Sequence, residues 1–143
     1  MAAMEIMATM FFEGADTRSG GAGTTRLDIT GAYFSVPVHD GFPSELVPHL
    51  LVLCYTPPDA GPQPVIIETT FTAPDGAELA RSRQVFPPEP GLFSMRLVQG
   101  RLEAAVAGTY HANVTLRQGS AGDPIVRRVP LTVVDASADA PTA

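Results

Sequence analysis

The chain has 143 residues, a formal net charge of −6 and 45% hydrophobic residues. That length suits one domain burying roughly 70% of its unfolded surface without help from a metal or disulfide. The apolar content argues against disorder, and no apolar run approaches the roughly 20 residues of a membrane span, so a soluble protein with no membrane partner is expected. All 9 positive charges are arginines, and the missing lysine removes the P-loop lysine, Schiff-base chemistry and a lysine general base. With an acidic balance and no basic cluster beyond Arg127-Arg128, no nucleic acid partner is expected.

The opening Met1 to Phe12 is apolar but has no Lys or Arg before it. Its alternation, Ile6, Ala8, Met10 and Phe12 against Met7, Thr9 and Phe11, predicts a first strand over Glu5 to Phe12 rather than a secretory signal. The expected compartment is therefore the cytoplasm. Glu13 to Thr25, rich in glycine and threonine, reads as a flexible loop or wide turn. A second strand is predicted over Leu27 to Val38, with Gly31 marking a bulge or a close backbone approach. Pro37 to Pro48 holds three prolines and is expected to be irregular. The third strand, Leu50 to Tyr55, is apolar at every position. Its Cys54 stands alone, which excludes an intrachain disulfide or a CxxC site and reads as a small core residue.

Thr56 to Pro64 forms a turn around Pro57-Pro58 and Asp59-Ala60-Gly61. The clearest hairpin joins Val65–Thr72 to Glu78–Phe86 through Pro74-Asp75-Gly76, where Pro favours the turn start and Gly supplies a positive φ. Pro87-Pro88-Glu89-Pro90-Gly91 stops pairing, since proline donates no ladder hydrogen bond. A sixth strand lies within Leu92 to Val106. Thr109 to Arg117 alternates Tyr110, Ala112, Val114 and Leu116 against polar neighbours, the period of a half-buried antiparallel strand. A polar turn, Gln118 to Pro124, leads into a last strand over Ile125 to Val134. Ser44 to Leu50 and Arg101 to Ala107 are each read as able to hold one short helical turn. Residues 1–134 thus form one β-sandwich domain, and 135–143 a frayed, flexible tail with little to bury.

Gly108 and Tyr110 fit the tyrosine corner of immunoglobulin-type sandwiches, in which the buried ring at the start of the penultimate strand returns its hydroxyl to the backbone. Ala112 stands where an antibody domain has its second cysteine, and tryptophan is absent, so the expectation is an all-β, immunoglobulin-like antiparallel β-sandwich of seven to eight strands. The apolar first strand ending Met10-Phe11-Phe12-Glu13-Gly14-Ala15, the Pro74-Asp75-Gly76 hairpin, the Gly108-Thr109-Tyr110 corner and the closing Pro130-Leu131-Thr132-Val133-Val134 resemble a small bacterial family of uncharacterised immunoglobulin-like β-sandwich proteins, a domain of unknown function. The resemblance spans about Ile6 to Val134. It implies the same fold and supplies no active-site residue. A bacterial source with a GC-rich genome also agrees with the missing lysine and the abundance of Ala, Gly and Pro.

No chemistry-bearing constellation emerges. His39, His49 and His111 lack zinc-motif spacing. Gly41-Phe42-Pro43-Ser44-Glu45 lacks the second glycine of a nucleophile elbow. Gly20-Gly21-Ala22-Gly23-Thr24-Thr25 lacks the lysine and the following helix of a phosphate loop. Asn113-Val114-Thr115 matches a glycosylation triplet by chance, mid-strand. No catalytic, cofactor-binding or metal residue is assigned, and no cofactor is expected.

The informative anomaly is the third strand, apolar on both faces, repeated in Ala32-Tyr33-Phe34. Something must cover its second face. The candidates are a loop, either Pro37 to Pro48 or the glycine-rich segment, a second copy in a homodimer, or a partner protein. Leu51, Leu53, Tyr55 and Tyr33 are the candidate interaction face. The function expected is a non-enzymatic protein-binding or assembly module. The alternative is a structural component of a larger particle, such as a phage or secretion-type assembly, and more distantly a small-ligand carrier or enzyme.

Overall fold

A computed structural model describes residues 3–119 and 123–137. Among them the chain forms twelve strands and no α-helix: β1 (Glu5–Phe11), β2 (Gly14–Gly21), β3 (Thr24–Thr30), β4 (Ser35–Val38), β5 (Ser44–Leu46), β6 (His49–Tyr55), β7 (Val65–Thr72), β8 (Glu78–Phe86), β9 (Phe93–Gln99), β10 (Leu102–Ala104), β11 (Gly108–Gln118) and β12 (Ile125–Asp135). One layer is a five-stranded sheet in the order β4-β12-β11-β7-β8. The other is the sheet β1-β6-β9, whose β6–β9 ladder continues as β5–β10 past a break where the Gly100 N–H donates to Pro48 O at 2.9 Å. The fold is thus an all-β sandwich.

Period-two patterning builds the core. In β7, Val65, Ile67, Thr69 and Phe71 are buried, and in β11 the buried set is Tyr110, Ala112, Val114 and Leu116. All but Thr69 join Leu50, Val52 and Cys54 of β6, Phe11 of β1 and Val98 of β9 in a single apolar cluster. Burial of this kind contributes about 1.5–3 kcal/mol per large side chain. The β7–β8 hairpin turns at Pro74-Asp75-Gly76 as expected. Gly76 has φ +90°, its N–H donates to Ala73 O at 2.9 Å, and Asp75 Oδ1 accepts the Ala77 N–H at 2.9 Å.

The tyrosine corner is present. Tyr110 is 2% exposed, and its hydroxyl donates to Val106 O at 2.7 Å. Gly108 makes the turn into β11 with φ +145°, and a Cβ there would lie 2.9 Å from Pro74 Cγ. Both the backbone angle and the close approach of the β7–β8 turn therefore require glycine.

Several expectations are corrected. Among the described residues the strands number twelve rather than seven or eight, because short ladders form where loops or helical turns are expected. Glu13 to Thr25 is not a loop: β2 and β3 pair as an antiparallel ribbon from Gly14↔Thr30 to Gly21↔Thr24. Its two-residue turn places both Ala22 (φ +52°) and Gly23 (φ +76°) in the left-handed region, as the hairpin turn whose twist matches its strands demands. Leu27 to Val38 is not one strand. It breaks after Thr30 at Gly31 (φ +64°), where a Cβ would lie 2.6 Å from Cδ of the Glu13 side chain, a side-chain contact rather than the expected backbone approach. The chain then changes sheets. Tyr33 N–H donates to Phe11 O on β1, and β4 pairs with β12 in parallel, so the sandwich is not wholly antiparallel.

Ser44 to Leu50 and Arg101 to Ala107 hold paired strands, β5 and β10, rather than helical turns, and the predicted sixth strand is accordingly split into β9 and β10. Asp135 and Ala136, expected to be frayed, are held against β4. Asp135 pairs with Val38, and buried Ala136 donates its N–H to Val38 O at 2.8 Å. Residues 138–143 of the expected tail lie outside the described residues, as do residues 120–122 of the predicted Gln118 to Pro124 turn.

Candidate functional site

The strand that is apolar on both faces lies at the centre of its sheet. β6 sits between β1 and β9, and pairing register places cross-strand rows on its two sides. Phe11, Leu50 and Val98 form one row of the inner face, toward the core. The outer rows are Met10, Leu51 and Leu97, then Ala8, Leu53 and Met95, then Tyr55 and Phe93. The Tyr55 and Phe93 rings are 4.8 Å apart, a cross-strand aromatic contact of the kind that stabilises a sheet face.

The β2–β3 ribbon folds back over this outer face. Its residues Thr17, Thr25 and Leu27 stand across from Leu53, Met95 and Phe93, with Gly91 and Leu92 closing one side, around a cleft of about 420 Å³. Thr17 and Leu27 are register partners, which puts them on one face of the ribbon. The other face carries the Arg18–Asp28 ion pair, at 2.6 Å. The glycine-rich segment is therefore the structure that partly covers β6, as one of the expected alternatives held. Coverage is incomplete. Leu51 is wholly enclosed and Leu53 and Tyr55 half-buried, while Leu92, Phe93 and Leu97 remain 56%, 60% and 52% exposed.

Tyr33 does not belong to this surface. It stacks on Phe11 with ring centroids 5.8 Å apart, and its hydroxyl accepts a long hydrogen bond from the His49 N–H at 3.4 Å. Burial and the nearby Glu13 charge raise its pKa, and the His49 contact opposes them. With Glu13, Val36, Leu46 and Pro48 it lines a separate cleft of about 290 Å³. Of the four residues predicted for the face, the fold assembles Leu51, Leu53 and Tyr55 and separates Tyr33. It adds Phe93, Met95, Leu92 and Leu27. A signal for the β9 residues exists in the sequence, since Phe93, Met95 and Leu97 alternate with Ser94, Arg96 and Val98. Only pairing with β6 puts them on the outer side.

The three histidines are dispersed. His49 packs its ring edge-on to Phe12 at 6.4 Å, His111 lies on the opposite layer, and His39 follows β4. Among the described residues there is no group of three or more His, Cys, Asp or Glu that could hold a metal. Cys54 is fully buried, and burial pushes its thiol up to about 11 against a smaller lowering effect of Arg96, so at neutral pH it stays protonated. Arg96 itself lies 3.6 Å over the Phe86 ring, and its Nε donates to Ser94 Oγ at 3.1 Å. No described helix is long and apolar enough to cross a membrane.

No family model and no curated protein matches the chain. Among solved structures, the C-terminal domain of wzt is similar at a TM-score of 0.49 and 12% identity, over 94% of this chain and 75% of that one.

Proposed function

We propose that the chain is a non-enzymatic binding module of the bacterial cytoplasm, whose protein partner docks on the outer face of the β1-β6-β9 sheet beside the ribbon. The observation that carries this reading is the half-roofed apolar face. The ribbon reaches Leu53 and Met95 but leaves Phe93 and Leu97 of the edge strand β9, and Leu92 just before it, more than half exposed. Contiguous apolar surface of this kind marks interaction sites, and an aromatic pair such as Tyr55 and Phe93 is a characteristic anchor.

A second copy of the chain is the other occupant this face favours, because an edge-strand patch lends itself to two-fold packing. Light scattering separates the two: a 15 kDa species at micromolar concentration supports a heterologous partner, and a 30 kDa species supports the homodimer. The reading itself is tested by affinity capture from the host with the wild-type chain and with Phe93→Ser/Leu97→Ser. A protein retained by the first and lost by the second supports it. Equal capture by both, with the variant still folded, refutes it.

A further inference from the structure

The opposite layer carries a surface of different chemistry. Register places two rows on the outer face of the five-stranded sheet, polar but for one valine: Arg128, Asn113, Thr70 and Arg81, and beside it Val126, Thr115, Glu68 and Arg83. Arg117 lies on the same side of β11, opposite Ile66, and His111 lies two residues before Asn113. Four of the 9 arginines in a chain of net charge −6 thus share one flat face. Two of them are partly neutralised. Glu68 is shared by Arg81 at 3.6 Å and Arg83 at 3.5 Å, and Glu78 holds Arg81 at 2.8 Å. Arg117 and Arg128 have no carboxylate partner among the described residues. The neighbour of Arg128 is another base, His111, whose Nδ1 is 3.3 Å from Arg128 Nη2.

We propose that this face docks an acidic segment of a partner protein, with Arg117 and Arg128 as its carboxylate receptors. It is a different surface from the apolar one and does not depend on that reading. Guanidinium groups recognise carboxylates through paired, charge-assisted hydrogen bonds. The β8 arginines and Arg128 stand about three strand spacings apart, roughly 14 Å, with Thr70, Thr115 and Asn113 between them, a span that one extended acidic peptide crosses. Nucleic acid fits less well. The outward residues of β7, β8, β11 and β12 include no Phe, Tyr or Trp on which a base could stack.

The test uses the full chain and a fluorescently labelled ten-residue peptide of alternating Glu and Thr, read by anisotropy. Saturable binding at low salt is expected, weakening about tenfold or more when salt is raised past physiological strength. Arg117→Gln/Arg128→Gln should weaken it about tenfold or more, and Arg18→Gln/Arg101→Gln, on other surfaces, by less than about twofold. If the first double variant melts early, Arg128→Gln alone replaces it. The proposal is overturned by absence of binding at low salt, by equal binding of the arginine variant, or by tighter binding of a labelled thymidine oligonucleotide. Salt-sensitive dimerisation of the unliganded chain that Arg117→Gln/Arg128→Gln abolishes would make a second copy the occupant and overturn it as well.

Discussion

Replacing Tyr110 tests the corner that locks the turn into β11. Its ring is 2% exposed, and its hydroxyl donates to Val106 O at 2.7 Å, four residues upstream. Tyr110→Phe keeps the ring and removes that one bond. The bond is only partly buried and Val106 is 54% exposed, so the cost is the net worth of a hydrogen bond, about 1 kcal/mol, rather than a full burial penalty. Tyr110→Ala also empties the space of a buried aromatic ring, which costs about 3–5 kcal/mol. For a domain of this size about 1 kcal/mol lowers Tm by roughly 3–5 °C. The Phe variant should therefore melt a few degrees below wild type and the Ala variant about 10 °C or more below, by calorimetry or by circular dichroism at two wavelengths to verify two-state behaviour. An Ala variant melting within about 2 °C of wild type, or a Phe variant as unstable as the Ala variant, refutes the corner as a structural lock.

Thr69 is fully buried between Val114 and Ser82 in the sheet, and its Oγ1 has no hydrogen-bond partner. Thr69→Val keeps the shape and removes the stranded hydroxyl, so it should stabilise by about 1 kcal/mol; a lower midpoint in urea would argue against this. Gly108→Ala meets both a positive φ and the Pro74 ring. It should destabilise by more than about 1 kcal/mol, and an unchanged midpoint would mean the turn relaxes freely. Because burial raises the Cys54 pKa to about 11, the unfolded thiol ionises at lower pH than the folded one. Stability from this group is whole below the unfolded value near 9 and declines as pH rises toward 11, and Cys54→Ala should flatten that decline in alkaline melts. Bridging Gly14 to Thr30 with a two-residue Asn-Gly turn deletes most of the ribbon. It should raise binding of a hydrophobic dye while the sandwich still melts cooperatively, and unchanged dye binding would show that the ribbon covers nothing.

Local chemistry was enough to read part of this protein from the chain. Alternation in Thr109 to Arg117 and Val65 to Thr72, the Pro74-Asp75-Gly76 turn and the Gly108–Tyr110 corner each depend on residues within a few positions of one another. Each stands in the structure as read. The sequence of β6 also states that both of its faces are covered. What covers them is a non-local matter, and the same glycines that suggest a loop also permit the tight turn of a ribbon. The choice between them rests on pairing across ten or more residues, as in Arg18 with Asp28. Short strands such as β5 and β10 carry too few residues to show a period, and they form only because each finds the other in continuation of a longer ladder. The arginine face is the extreme case. Arg81, Arg83, Arg117 and Arg128 are distant in the chain and become neighbours because β8, β7, β11 and β12 lie side by side in that order. Strand order is set by how the whole set of apolar faces buries itself, and no single segment contains that information.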